Sequence, residues 1–260
     1  MLILLPPSEG KAAKGSGAPL DLDALSFPSL GPAREKVLDA LEAVARGPED
    51  EALAVLGLTP GQADELARNR GLRTARTLPA SRLYTGVLYD NLGLATLSPA
   101  GRRRASRSLI VFSGLWGALR PSDRVPPYRL SMGVRLPSLG GLAAYWRPAL
   151  TEALAEAVAK EAKGVVIDLR SSTYAQAWPP GSRGVTVRVL REAADGGRSV
   201  VSHMAKATRG AVARSLLESG ANPRTPRQLA GILADLGHVT ELGPEPRAGR
   251  PWTLDVVTRE

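Results

Sequence analysis

Between Phe112 and Leu136 the chain reads FSGLWGALRPSDRVPPYRLSMGVRL, a stretch that combines Ser113, the rings of Trp116 and Tyr128, and the four arginines Arg120, Arg124, Arg129 and Arg135. Guanidinium groups match phosphate oxygens with a planar fork of donors, and tyrosine and tryptophan faces stack on bases. This pattern points to an anionic, planar guest. Three further clusters carry similar chemistry: Ser8, Glu9 and Lys11 in SEGK, Asp168 to Tyr174 in DLRSSTY, and His203 to Arg209 in HMAKATR. Each follows a short apolar run that reads as a strand. Strand exits of an open α/β sheet converge on one edge, where ligands bind. On that placement Lys11, Arg120, Arg129, Arg135, Lys206 and Arg209 form a cationic cleft, with Ser113, Gly114, Trp116, Tyr128 and Tyr174 beside it.

Two chemistries fit such a cleft. In one, the cations neutralise phosphates and the rings stack on unpaired bases. In the other, a nucleotide, nucleobase or damaged DNA base is acted on, and the candidates are Ser8, Tyr128 and Lys206, the last as an amine nucleophile among arginines. Structural readings stand beside both. Trp116 and Tyr128 equally suit a core with one polar tip, Asp168 suits an ion pair with a nearby arginine, and Gly114 suits a tight turn. The Ser8 to Lys11 spacing resembles a Ser-x-x-Lys pair, but the companion motifs of that chemistry are missing.

The segment AVLGLTPGQADELA, residues 54–67, has the form of a helix-hairpin-helix element, in which amides between two short helices grip a phosphate. Gly57, Leu58, Pro60, Ala63 and Leu66 fall where that pattern places glycine, apolar, proline, alanine and apolar residues. Gly61 lies in the first turn of the second helix. Thr59 stands where the pattern has its second glycine, and a plain capped helix start accounts for the same residues.

Composition narrows the classes. Lys and Arg number 34 against 25 Asp and Glu, a net charge of +9, which favours a polyanionic partner. Six of the 34 are lysines, so part of this excess reflects a general arginine bias. Cysteine is absent and the two histidines are His203 and His238, which removes thiolate sites and leaves little for a metal. No cofactor is implied. The opening apolar run, Leu2 to Leu5, is cut by Pro6 and Pro7, so neither a signal peptide nor a membrane span is expected and the protein reads as cytoplasmic.

The elements that position these residues alternate along all 260 residues without a linker, predicting one domain of α/β to α+β class around a central mixed sheet wrapped by helices. Strands are expected at Leu2 to Leu5, Leu109 to Phe112, Gly164 to Leu169, Gly184 to Leu190, Ser199 to Val201 and Trp252 to Val257. Helices are expected from Pro32 to Arg46, Pro48 to Leu56, after Thr59, after Ser98, from Leu142 to Ala162, from Met204 to Leu217 and from Pro226 to Leu236. The stretch from Arg73 to Leu97 reads as irregular, with Tyr84, Val87, Leu88 and Tyr89 buried.

Taken together, LLPPSEGK, YTGVLY, the block from Ser113 to Leu136, VIDLRSSTY and VSHMAKATRGAVAR resemble the YaaA family of bacterial peroxide-stress proteins over nearly the whole chain. The resemblance implies a single-domain fold with a positively charged cleft and a helix-hairpin-helix element. It further implies binding to duplex, bubbled and branched DNA, and a link to oxidative stress, recombinational repair and lowered free iron. Carried over by position, it points to Ser8, Lys11, Ser113, Gly114, Trp116, Gly117, Arg120, Pro121, Tyr128, Arg129, Gly133, Arg135, Tyr174, Lys206, Arg209 and Gly210. Thr173 stands where many relatives have an acidic residue, and Met204 where they have an aromatic. The missing carboxylate removes one acid/base candidate and leaves the anion-holding pattern intact.

Overall fold

Leu2–Leu5 (β1) is an unbroken apolar run because it lies in the middle of the sheet, buried on both faces. In the computed structural model, which describes residues 1–160 and 164–259, β1 pairs in parallel with Leu109–Ser113 (β3) on one side and Val166–Asp168 (β8) on the other. Gly184–Glu192 (β9) extends the parallel set beyond β8, and Trp252–Arg259 (β12) beyond β9. Antiparallel strands finish the sheet: Gly117–Leu119 (β4) beside β3, Val239–Leu242 (β11) beside β12, and Arg198–Ser199 (β10) against the far end of β9. The order is β11-β12-β9-β8-β1-β3-β4. This is the α/β class with a mixed central sheet that the element pattern predicts.

Between β1 and β3 run Gly31–Arg46 (α1), Glu49–Leu56 (α2), Asp64–Arg70 (α3), Ala80–Leu83 (α4), Val87–Leu92 (α5) and Pro99–Ser108 (α6), with Leu78–Pro79 (β2) before α4. β2 and Arg124–Val125 (β5) form a separate antiparallel pair, as do Arg135–Leu136 (β6) and Gly140–Gly141 (β7). Leu142–Lys160 (α7) leads to β8, Ser172–Ala175 (α8) follows it, and Ser202–Ser219 (α9) and Pro226–Asp235 (α10) lie between β10 and β11. The expected end of the long helix at Ala162 lies outside the described residues.

Three sequence readings change. The stretch from Arg73 to Leu97 contains α4 and α5 rather than irregular chain, and Val87 is half-buried while Tyr84, Leu88 and Tyr89 are buried. The strand expected at Ser199 to Val201 is the two-residue β10, and β11 is an additional edge strand. Capped starts agree where a serine or threonine precedes proline. Ser98 Oγ accepts from the Gly101 amide and Thr225 Oγ1 from the Gln228 amide.

One connected hydrophobic core spans both faces of the sheet. Chain direction sets the site. From β1 the chain winds outward to β3, whereas from β8 it winds the opposite way to β9, so the winding reverses between β1 and β8. A crevice opens at the carboxyl ends of strands at such a reversal. Those ends are the Pro6 to Lys11 turn, Ser113-Gly114 and Leu169 to Tyr174.

Candidate functional site

The Pro6 to Lys11 turn is pinned against the segment YTGVLY. Ala12 N–H donates to Leu83 O, Thr85 N–H donates to Gly10 O, and Tyr89 Oη donates to Pro6 O at 2.7 Å. Gly86, at φ +92°, sits so close that a Cβ there would stand 3.3 Å from Ser8 Oγ. The turn thereby folds Lys11 inward. Its Nζ donates to Ser8 O at 2.8 Å and lies 4.6 Å from the ring centre of Tyr128 and 5.8 Å from that of Tyr84. These are cation–π contacts on an apolar floor. Burial pulls the Lys11 pKa down to about 8, with the nearby Arg129 adding to the fall and Glu9 opposing it.

Beneath the lysine runs a chain of buried hydroxyls. Ser113 Oγ accepts from the amides of Leu115 at 3.2 Å and Trp116 at 2.9 Å, and lies 2.6 Å from Tyr128 Oη. With both lone pairs engaged, Ser113 donates to Tyr128, which in turn donates to Tyr84 Oη at 3.0 Å. Burial pushes both phenols up, well away from ionisation. Tyr128 and Tyr84 are therefore neutral hydrogen-bonding groups rather than bases.

Arg129 forms one wall. Its guanidinium pairs with Glu9 at 2.9 Å, and Asn69 of α3 holds its peptide group from both sides. Tyr174 of α8 accepts from the Met132 amide at 3.3 Å, tying the third strand exit to the same loop. Its phenol is raised to about 12, chiefly by burial. Asp168 is locked to Arg170 by two hydrogen bonds of 2.8 and 2.6 Å, and Arg170 also donates to Trp178 O and stacks 4.0 Å over Phe112. This buried pair shapes the wall and presents no net charge. Arg209 on α9 is different. Its Nε is buried without a hydrogen-bond partner among the described residues, and burial lowers its pKa although the Asp168 carboxylate partly offsets the effect. A buried donor without a partner carries an unrelieved desolvation cost.

The fold brings together Ser8, Lys11, Ser113, Gly114, Tyr128, Arg129 and Tyr174, while Arg209 lies near Asp168 at the end of β8. Gly114 packs so tightly on Leu130 and Met132 that a Cβ would meet Leu130 O at 2.8 Å. Lys206 is one helical turn from Arg209, and exposed. Other candidates lie elsewhere. Arg120 follows β4, which runs back antiparallel to β3, and its guanidinium donates to Arg107 O and Leu109 O at the amino end of β3. It is therefore on the opposite edge of the sheet from Ser113. Arg135 is exposed on the β6–β7 hairpin. Trp116 is fully buried and meets Tyr128 edge to face, so neither ring face is open for stacking on a base. Ser8 and Lys11 meet through the Ser8 carbonyl rather than its hydroxyl, so no Ser-Lys nucleophile is assembled.

The α2–α3 turn has Gly57 at φ +64°, with its amide bonded to Ala54 O and Leu53 O. The Leu58 amide reaches Leu53 O, and the Thr59 amide donates to Gln62 Oε1 at 3.1 Å. Pro60 opens the next turn and Gly61 is exposed. The amides of residues 57–59 are thus satisfied within the turn, as in a plain capped helix start, and are not free to grip a phosphate. Asn69, which positions the Arg129 backbone, is a residue that the sequence reading missed. Its signal is faint, a polar residue at an inward helical position. Among the described residues no group of three or more histidine, aspartate or glutamate side chains is arranged to hold a metal, and no helix is long and apolar enough to cross a membrane.

Fold and site define an α/β protein with Lys11, Arg129 and buried tyrosines gathered at the carboxyl ends of its parallel strands. The sequence profile of the family described as peroxide stress protein YaaA matches residues 1–238, and the chain belongs to that family. It is 52% identical to a UPF0246 protein of Streptomyces coelicolor, over 100% of this chain and 99% of the relative. It is 43% identical to a UPF0246 protein of Corynebacterium efficiens, over 99% and 100%, and 32% identical to one of Cereibacter sphaeroides, over 85% and 88%.

Proposed function

We propose that this protein binds DNA in the peroxide-stress response, gripping duplex, bubbled and branched DNA with little sequence preference, and so contributes to DNA protection and repair in the cytoplasm. Any lowering of free iron follows indirectly. The observation that most supports this reading is the meeting of Lys11 and Arg129, from distant parts of the chain, at the exit of β1, with Arg209 near Asp168 at the exit of the neighbouring β8. Phosphate contacts carry no sequence information, so such a cluster favours affinity without base preference. Gel-shift titrations on duplex, bubbled and four-way DNA at several salt concentrations test it. Affinity should fall with a log-log slope of about −0.9 per phosphate contact on duplex. Affinity indifferent to salt would sink the reading.

A second reading, an enzyme acting on a nucleotide-like group in the same crevice, is favoured by one observation. The amine with a desolvated setting is Lys11, held against two tyrosine rings, whereas Lys206, the amine expected from sequence, is exposed.

A further inference from the structure

We propose that Lys11 is a nucleophilic amine that condenses with the C1′ aldehyde of an abasic deoxyribose in DNA. The inference rests on the DNA-binding reading for its substrate and on the geometry of Lys11 for its chemistry.

The lysine is held where its charge has little compensation. Glu9, the carboxylate on its own turn, is committed to Arg129, and among the described residues no carboxylate lies within ion-pair distance of Nζ. Among the described residues its one hydrogen bond is to the Ser8 carbonyl, it lies over two tyrosine faces, and the charges around it, Glu9 and Glu65 against Arg129 and Arg68, are of both signs. The turn that positions it is fixed by backbone bonds to Leu83 and Thr85, so the amine does not sweep through solvent as a surface lysine does. With a pKa of about 8, roughly a tenth of the molecules carry a neutral amine at pH 7. An ordinary exposed lysine offers about one in three thousand. Desolvation among apolar faces and neighbouring cations is a known way of making a lysine nucleophilic.

The electrophile follows from the partner. An intact nucleotide presents no reactive carbonyl carbon on its sugar, but a deoxyribose that has lost its base opens to a free aldehyde at C1′. Arg129 and Arg68, the cations that act on Lys11, suit the phosphates on either side of such a sugar. The nitrogen lone pair attacks C1′ and a C–N bond forms. The C=O π pair moves to the oxygen, which takes up the first proton that the nitrogen sheds, giving a carbinolamine; the nitrogen's second proton then passes to this oxygen, which leaves as water as the C=N bond forms. No oxidant, metal or cofactor enters the balance.

The test incubates the full chain with an abasic duplex and with a fully paired duplex of the same sequence, each with sodium cyanoborohydride. A denaturing gel and peptide mass mapping follow, with a gel shift in parallel. The expected result is a covalent adduct with the abasic duplex alone, mapped to Lys11, with trapping that speeds up as pH rises toward 8. Lys11→Arg should cut trapping at least tenfold, and Lys36→Arg, on exposed α1 surface, should leave it unchanged. Mapping on the wild-type protein does not depend on either variant folding. A gel shift without an adduct, or an adduct spread over other lysines, overturns the proposal and leaves DNA binding standing. No gel shift with either duplex overturns both.

Discussion

The carboxamide of Asn69 holds the peptide of Arg129 at both ends, accepting from its N–H at 2.9 Å and donating to its carbonyl at 2.8 Å. Asn69 belongs to α3, the second helix of the hairpin, and is fully buried. The hairpin and the cleft loop are therefore one mechanical unit. Asn69→Leu conserves volume but leaves an amide and a carbonyl buried without partners, at about 1–3 kcal/mol for each. Urea denaturation should show a loss of roughly 2–6 kcal/mol, and DNA affinity should fall alike on every DNA structure. Unaltered stability would show that the clasp has no role.

Lys11 makes stability depend on pH in an unusual direction. Its folded-state pKa of about 8 lies below the 10.5 of an exposed lysine, so the unfolded chain binds more protons between those values and stability rises with pH across that window. Below 8 both states are protonated and the full cost of burying the ammonium is present. Glu9, Arg129, Glu65 and Arg68 are the charged groups that act on it. Lys11→Met should therefore be more stable than wild type at pH 7, with the advantage shrinking between pH 8 and 10.5. Denaturation midpoints at pH 7, 8, 9 and 10 read this directly. DNA affinity of the wild type should also decline through pH 8 as the cation is lost, and Lys11→Met should show no such decline.

The strands were legible because their residues are buried on both faces. Leu2 to Leu5 and Leu109 to Phe112 are apolar runs bounded by Pro6 and by Ser113, and no other structure suits them so well. Helices α4 and α5 were not, since four and six residues are too few to display a helical repeat. The site was legible in residue type but less so in position. Arg120 is seven residues from Ser113, yet the β3–β4 hairpin returns the chain and delivers it to the far edge of the sheet. Lys11 and Lys206 look alike in sequence, and only the packing of Tyr84 and Tyr128 separates a desolvated amine from an exposed one.

That placement of Arg120 gives a clean contrast with the cleft cations. Its guanidinium donates to Arg107 O at 2.7 Å and Leu109 O at 3.0 Å, fastening the α6–β3 junction. Arg120→Ala should destabilise the fold by about 1–3 kcal/mol, since hydrogen bonds from a charged donor are lost. The salt slope of DNA binding should stay at the wild-type value. A shallower slope in a folded Arg120→Ala protein would place this arginine on the phosphate path after all.

Arg209 should behave in the opposite way. Its Nε is already buried without a partner, so the free protein carries an unrelieved desolvation cost there. Arg209→Gln removes the charge and shortens the side chain while retaining polar capacity, and the unliganded protein should be no less stable than wild type in urea. A bound phosphate would have supplied the missing partner, so the variant should lose affinity on duplex, bubbled and branched DNA alike. The log-log salt slope should become shallower by about 0.9, the share of one phosphate contact. If Arg209→Gln instead unfolds readily while binding DNA with an unchanged slope, the guanidinium is a structural strut of α9 and the anion site must be built without it.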